Sequence, residues 1–166
     1  MRRERGLAAT THAPGGTPLD PHLAQLNVAR MRAPLDDPLM REFVAWLEPI
    51  NALADTSPGF VWRLQTDEGD STAIRAFDDP LLLVNMSLWR SFEALHAFMY
   101  RTDHVRALRA RSRWFERGGA PTTVLWWVPA GELPSLDEAK KRLQRLRDEG
   151  PSADAFSLTQ IFPPPR

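Results

Sequence analysis

Residues 81–89 read Leu-Leu-Leu-Val-Asn-Met-Ser-Leu-Trp, and this run constrains the fold more than any other part of the chain. Successive side chains of a strand point to opposite faces. One face would carry Leu82, Val84, Met86 and Leu88, and the other Leu81, Leu83, Asn85, Ser87 and Trp89. A strand with one wet face alternates cleanly between apolar and polar residues; this one does not. The strand predicted over 23–29 divides in the same way, with Ala24, Leu26 and Val28 against Leu23, Gln25, Asn27 and Ala29. The strand over 122–128 sets Val124, Trp126 and Val128 opposite Leu125 and Trp127. Both faces of such a sheet need cover. Helices cover one. A second copy of the sheet is the simplest cover for the other and predicts a homodimer; the alternative cover is the chain's own third helix.

The remaining elements follow from caps and spacing. Asp37-Pro38 opens a helix as N-cap and first helical residue, with Leu39, Phe43, Trp46, Leu47, Ile50 and Leu53 on its buried face. Pro49 predicts a kink in it. Pro58-Gly59 ends the helix and starts a strand over 60–65. The polar stretch 66–80 reads as a long hairpin loop with a short pairing segment over 72–77. Ser91 caps a second helix with Phe92, Leu95, Phe98 and Met99 inside. It breaks near Thr102, resumes through Val105, Leu108 and Phe115, and ends at Gly118-Gly119. Ser135-Leu136-Asp137-Glu138 is a capping box for a third helix burying Leu136, Ala139, Leu143 and Leu146. Residues 156–162 add a last short strand.

The order β-α-β-β-α-β is the split βαβ arrangement. The predicted fold is therefore α+β: ferredoxin-like, with an added C-terminal helix and short strand, assembled as a dimeric α+β barrel. One domain is expected over 22–162, between a disordered N-terminal tail, 1–21, and a C-terminal tail, 163–166.

Lys plus Arg and Asp plus Glu both number 21, so the net charge is zero, which argues against a nucleic-acid partner. The absence of cysteine excludes disulfides, thiolate metal sites and cysteine nucleophiles. No apolar run reaches the roughly 18–20 residues of a membrane span. Met1-Arg2-Arg3-Glu4-Arg5 is not followed by the apolar stretch of a secretory leader. A cytoplasmic protein with no membrane partner is expected. Gly-rich phosphate loops and Ser-His-Asp triads are not recognisable.

Leu88-Trp89-Arg90-Ser91, followed by Glu93, Leu95 and His104, resembles the dimeric α+β-barrel superfamily, which includes antibiotic-biosynthesis-type and haem-degrading monooxygenases. A closer resemblance, over residues 23–164, is to an uncharacterised bacterial domain-of-unknown-function family within it. It is carried by Gln25-Leu26-Asn27-Val28-Ala29, Pro58-Gly59-Phe60-Val61-Trp62-Arg63, Trp89-Arg90-Ser91-Phe92-Glu93-Ala94-Leu95, Trp114-Phe115, Trp126-Trp127-Val128-Pro129-Ala130-Gly131 and Gly150-Pro151. The resemblance implies the fold and sets Asn27 at the pocket asparagine of the haem-degrading relatives. The positions of their tryptophan and histidine hold Phe98 and Leu108, a departure from that pattern.

Gln25, Asn27, Asn85 and Ser87 lie on neighbouring strands in apolar surroundings. A buried amide left unpaired costs about 1–3 kcal/mol. A shared polar cavity holding water or a ligand is one outcome; an internally satisfied network or a wet dimer interface is the other. Trp89 continues this face. Packing favours the fully apolar face against the helices, whereas the resemblance implies that Asn27 lies under them. His96, Tyr100 and His104 share a helical stripe that could supply an acid/base group and a phenol, with His104 the better candidate. They make a poor chelate, so no metal site is expected. Among the six tryptophans, Trp62 and Trp89 are expected to wall a flat apolar ligand. The run Arg101, Arg106, Arg109, Arg111, Arg113 and Arg117 could clamp an anion but reads as a solvated face pairing with Asp103 and Glu116.

The expected function is a cofactor-independent, monooxygenase-like enzyme for an aromatic or enolic substrate. Asn27 would orient a substrate oxygen and His104 would take a proton. Gln25, Trp62, Asn85, Ser87, Trp89, His96 and Tyr100 would contact the substrate. The alternatives are a non-catalytic ligand-binding or stress-related module, and a haem-binding protein using His96 or His104.

Overall fold

The computed structural model describes residues 19–67 and 69–166. The tail expected over 1–21 falls, as far as residue 18, outside the described residues. The elements are β1 (His22–Arg30), α1 (Arg41–Thr56), β2 (Phe60–Arg63), β3 (Leu82–Trp89), α2 (Phe92–Arg101), α3 (His104–Ala110), β4 (Thr123–Val128) and α4 (Leu136–Glu149). The strands form an antiparallel sheet in the order β2-β3-β1-β4. The central strand β1 sets Asn27 opposite Asn85 on one side and Thr123 on the other.

The caps follow the local chemistry. The Asp37 carboxylate accepts from the Leu39 N–H at 2.8 Å and starts a 3-10 turn, Pro38–Met40, that leads into α1. α1 runs unbroken through Pro49. Ser91 Oγ accepts from the Ala94 N–H at 3.1 Å at the start of α2. Ser135 caps α4 through the Glu138 N–H at 3.1 Å. Glu138 does not complete a capping box; its carboxylate holds Arg142 at 2.8 Å one turn on. Gly150, with φ +78°, ends α4, in a backbone region that favours glycine.

Both sheet faces are buried within one chain. Ala24, Leu26, Val28, Val84, Met86, Leu88, Val124, Trp126 and Val128 pack with Ala139, Leu143 and Leu146 of α4. The apolar positions of α4 recur every three or four residues and so make one stripe. Segment 66–80 completes the cover with Ile74, Ala76 and Phe77. On this face α4, the third helix of the sequence reading, supplies the cover offered there as the alternative to a second copy of the sheet.

Three smaller expectations also change. Segment 72–77 forms no strand. The last strand reduces to a bridge between Phe156 and Leu125, with N–H to oxygen distances of 2.8 and 2.9 Å. α3 ends at Ala110 in a 3-10 turn, Arg111–Arg113, well before Gly118. Among the described residues no helix is long and apolar enough to cross a membrane.

Candidate functional site

The other face of the sheet lies under α1, α2 and α3, and its packing is interrupted. At one end Leu23, Trp89 and Leu125 join Leu95 and Phe98 of α2. At the other Met31 and Leu83 join Met40, Trp114 and Phe115. Between these two cores lie the cross-strand pairs Gln25–Ser87 and Asn27–Asn85. Polar side chains there cannot knit the two cores into one, and a cavity of about 320 Å³ opens above them. Asn85 is exposed although it sits within β3, and it lines this cavity.

The cavity floor is a hydrogen-bonded row. Gln25 Nε2 donates to Asn85 Oδ1 at 2.7 Å and to Ser87 Oγ at 3.0 Å. The buried Trp89 indole also donates to Ser87 Oγ, at 2.8 Å. Asn27 Nδ2 donates to Thr123 Oγ1 at 2.7 Å. Gln25 Oε1, Asn27 Oδ1 and Asn85 Nδ2 keep no protein partner among the described residues. They offer two acceptors and a donor at the cavity floor.

The walls are apolar and incompletely buried. Phe43, Trp46, Leu47 and Ile50 of α1 face the cavity and are only half-buried. α3 buries none of its residues fully, yet His104, Ala107, Leu108 and Arg111 line the cavity. Their i, i+3, i+4, i+7 spacing is one helical face. The His104 ring packs on Phe98 with centroids 4.7 Å apart, and its Nδ1 is buried with no hydrogen-bond partner. Burial holds its pKa below the ordinary 6.5, opposed by a hydrogen bond with the Met99 backbone and assisted by the Arg111 charge.

Seven of the nine residues expected from the sequence meet at this cavity: Gln25, Asn27, Asn85, Ser87, Trp89, Tyr100 and His104. Trp62 and His96 do not. His96 is exposed on α2, against Phe92 and Tyr100. Trp62 is displaced by a β-bulge: Phe60 pairs with Trp89 but Trp62 pairs with Leu88. Strict alternation would keep Phe60 and Trp62 on one face; the extra residue sends Trp62 to the α4 side and brings Arg63 to the cavity. Arg63, Arg111, Trp46 and Trp114 are wall residues that sequence reasoning missed. For Arg111 a signal existed in its spacing from His104 and Leu108.

The haem-degrading pattern is not assembled. Phe98 and Leu108, which the resemblance set at the tryptophan and histidine of the haem-degrading monooxygenases, both line the cavity as hydrocarbon side chains. Among the described residues no three His, Asp or Glu side chains gather as a metal site.

Comparison with curated proteins finds no match. Among solved structures the chain is similar to PA3566 from Pseudomonas aeruginosa, at 16% identity and TM-score 0.45, over 70% of this chain and 100% of that one. It is also similar to NE2512, a protein of unknown function from Nitrosomonas europaea, at 13% identity and TM-score 0.45, over 70% of this chain and 98% of that one. The family model of DUF3291, a domain of unknown function, matches residues 22–166, and the chain belongs to that family.

Proposed function

We propose that this chain binds a small, flat, mainly apolar molecule between the sheet and α1, α2 and α3. One observation carries the reading: the half-buried apolar side chains of α1 face a floor of amide groups with hydrogen-bonding capacity unspent. Ligand sites join apolar walls to a few placed polar groups in this way. The element order and the sheet order β2-β3-β1-β4 support a ferredoxin-like reading of the fold. Titration with 2-naphthol, followed by quenching of Trp46, Trp89 and Trp114, tests the proposal. Saturable quenching is expected in the wild type and its loss in Asn85→Phe, which fills the cavity from an exposed position. Equal quenching in both proteins would refute it.

His104 favours a further reading, as an oxygenase without a cofactor. A neutral imidazole with an unpartnered nitrogen can accept a proton. It would take one from a methylene flanked by aryl rings and conjugated through them to a carbonyl, with the second N–H of Asn27 Nδ2, beside the one spent on Thr123, donating to the substrate oxygen. The carbanion would give its electrons to dioxygen as the C–O bond forms, and the proton held by His104 would pass to the resulting peroxide anion. Loss of water from the resulting hydroperoxide leaves a ketone, so that CH2 and O2 become C=O and H2O. Oxygen uptake with anthrone should fall in His104→Gln by roughly the 10²–10⁴-fold that general-base catalysis supplies. An unchanged rate would remove the enzymatic reading and leave the binding one.

A further inference from the structure

The cavity wall is unbalanced in charge. Among the described residues that line it are Arg63, Arg111 and His104, and no Asp or Glu. Arg63 is already neutralised: its guanidinium meets the Asp55 carboxylate at 2.7 and 3.2 Å and the Gly69 carbonyl at 2.6 Å. His104 is held towards its neutral form by burial. Arg111 is different. Its neighbours in the basic run are engaged elsewhere: Arg106 stacks over Trp46 at 5.5 Å, and Arg113 pairs with Glu42 at 3.5 Å. Arg111 alone of the three lines the cavity, at the cap just beyond α3 and in line with His104 and Leu108, and it has no ion pair among the described residues.

A lone guanidinium at the rim of an apolar cavity is a directional anion receptor. Its five donors sit in a planar fork that fits a carboxylate, and Arg111 is exposed, so the fork is open to a ligand at the cavity mouth. At the other side of the cavity Gln25 Oε1 and Asn27 Oδ1 accept, and Asn85 Nδ2 donates. That pattern fits a hydroxyl or carbonyl and offers no second cation.

We propose that the ligand is an aromatic or enolic acid whose carboxylate rests on Arg111 and whose hydroxyl or carbonyl rests on the Gln25, Asn27 and Asn85 amides. This rests on the binding reading above and adds the chemical class of the ligand to it. The anion would also offset the Arg111 charge that acts on His104, so His104 gains proton affinity when the ligand is bound.

Two probes separate the claims: 3-hydroxy-2-naphthoate and its methyl ester, each titrated against the full-length protein by tryptophan quenching. The wild type should bind the acid tighter than the ester by roughly ten-fold, the lower end of what a charge-assisted hydrogen bond supplies. Arg111→Gln should erase the preference while ester binding persists, and Arg111→Lys should retain part of it. Unchanged ester affinity in both variants shows that the cavity is intact. Added salt should weaken the acid and spare the ester. Equal binding of acid and ester by the wild type, or a preference that survives in Arg111→Gln, overturns the acid assignment and leaves the pocket reading standing. Absence of quenching by either probe overturns both.

Discussion

Ser87→Ala isolates the most tightly bound part of the cavity floor. The Ser87 hydroxyl accepts from Gln25 Nε2 at 3.0 Å and from Trp89 Nε1 at 2.8 Å. Gln25 loses little by the change, because its amide keeps Asn85 Oδ1 at 2.7 Å. Trp89 loses its partner. Its indole is 1% exposed and is held between Phe98, stacked at 5.1 Å, and Phe60, edge-on at 5.5 Å, so the ring cannot swing its N–H to water. A buried donor left without an acceptor costs about 1–3 kcal/mol. A loss of about 2 kcal/mol in a chain of this length lowers Tm by roughly 4–8 °C. A double-mutant cycle with Trp89→Phe, read by thermal and urea unfolding, assigns the loss to that bond. In the Trp89→Phe background no indole N–H remains, and Ser87→Ala should cost at least about 1 kcal/mol less, a coupling typical of residues in direct contact. An equal cost in both backgrounds would show that the hydroxyl's stabilisation does not come from the indole.

Three further outcomes are expected. His104, with its folded-state pKa depressed below 6.5, stabilises the fold in its neutral form. That contribution is complete above about pH 6.5 and declines as pH falls towards the depressed value, below which the loss is constant; His104→Gln should flatten the change in urea midpoint over that window. Gly59→Ala should destabilise by about 2 kcal/mol or more in urea unfolding, because φ is +82° and the new Cβ would lie 2.5 Å from the Ala94 Cβ. Leu143→Ala should cost about 2–5 kcal/mol, since Leu143 is fully buried where α4 meets the sheet, and calorimetry should show it as a lower Tm.

The sheet and its polar row were legible because strand periodicity depends only on alternation. Gln25, Asn27, Asn85 and Ser87 fall on one face by counting, and they lie together. The helix caps at Asp37, Ser91 and Ser135 were legible because one side-chain oxygen at a helix start is a local matter. What lay beyond counting was tertiary. The stripe of Leu136, Ala139, Leu143 and Leu146 could be seen, but its destination on the second sheet face is fixed only by the return path of the chain. Pro49 lies inside α1, which runs on to Thr56; a proline removes one hydrogen bond without having to end a helix that packing holds. The bulge between Phe60 and Trp62 has no residue signature of its own, so the placement of Trp62 could not be had by alternation. Arg111 was hidden in a run of arginines, where composition suggests a solvated face and only position relative to His104 sets it apart.

The bulge in β2 also fixes how the character of this site can change. If the bulge relaxed with Val61 retained, strict alternation from Phe60 would turn the Trp62 indole towards the cavity and the Arg63 guanidinium towards the core beneath α4. That core is lined by Leu88, Met86 and Trp126, and a guanidinium turned into it would give up the Asp55 carboxylate that Arg63 now holds at 2.7 Å. An unpaired charge there is strongly unfavourable. A slip of β2 past β3 is therefore closed to this chain, whereas deleting Val61 would leave Trp62 and Arg63 paired with Leu88 and Ser87 on their present faces. With the register of β2 held in this way, what the cavity can hold is set by the side chains of the helical wall and the amide floor.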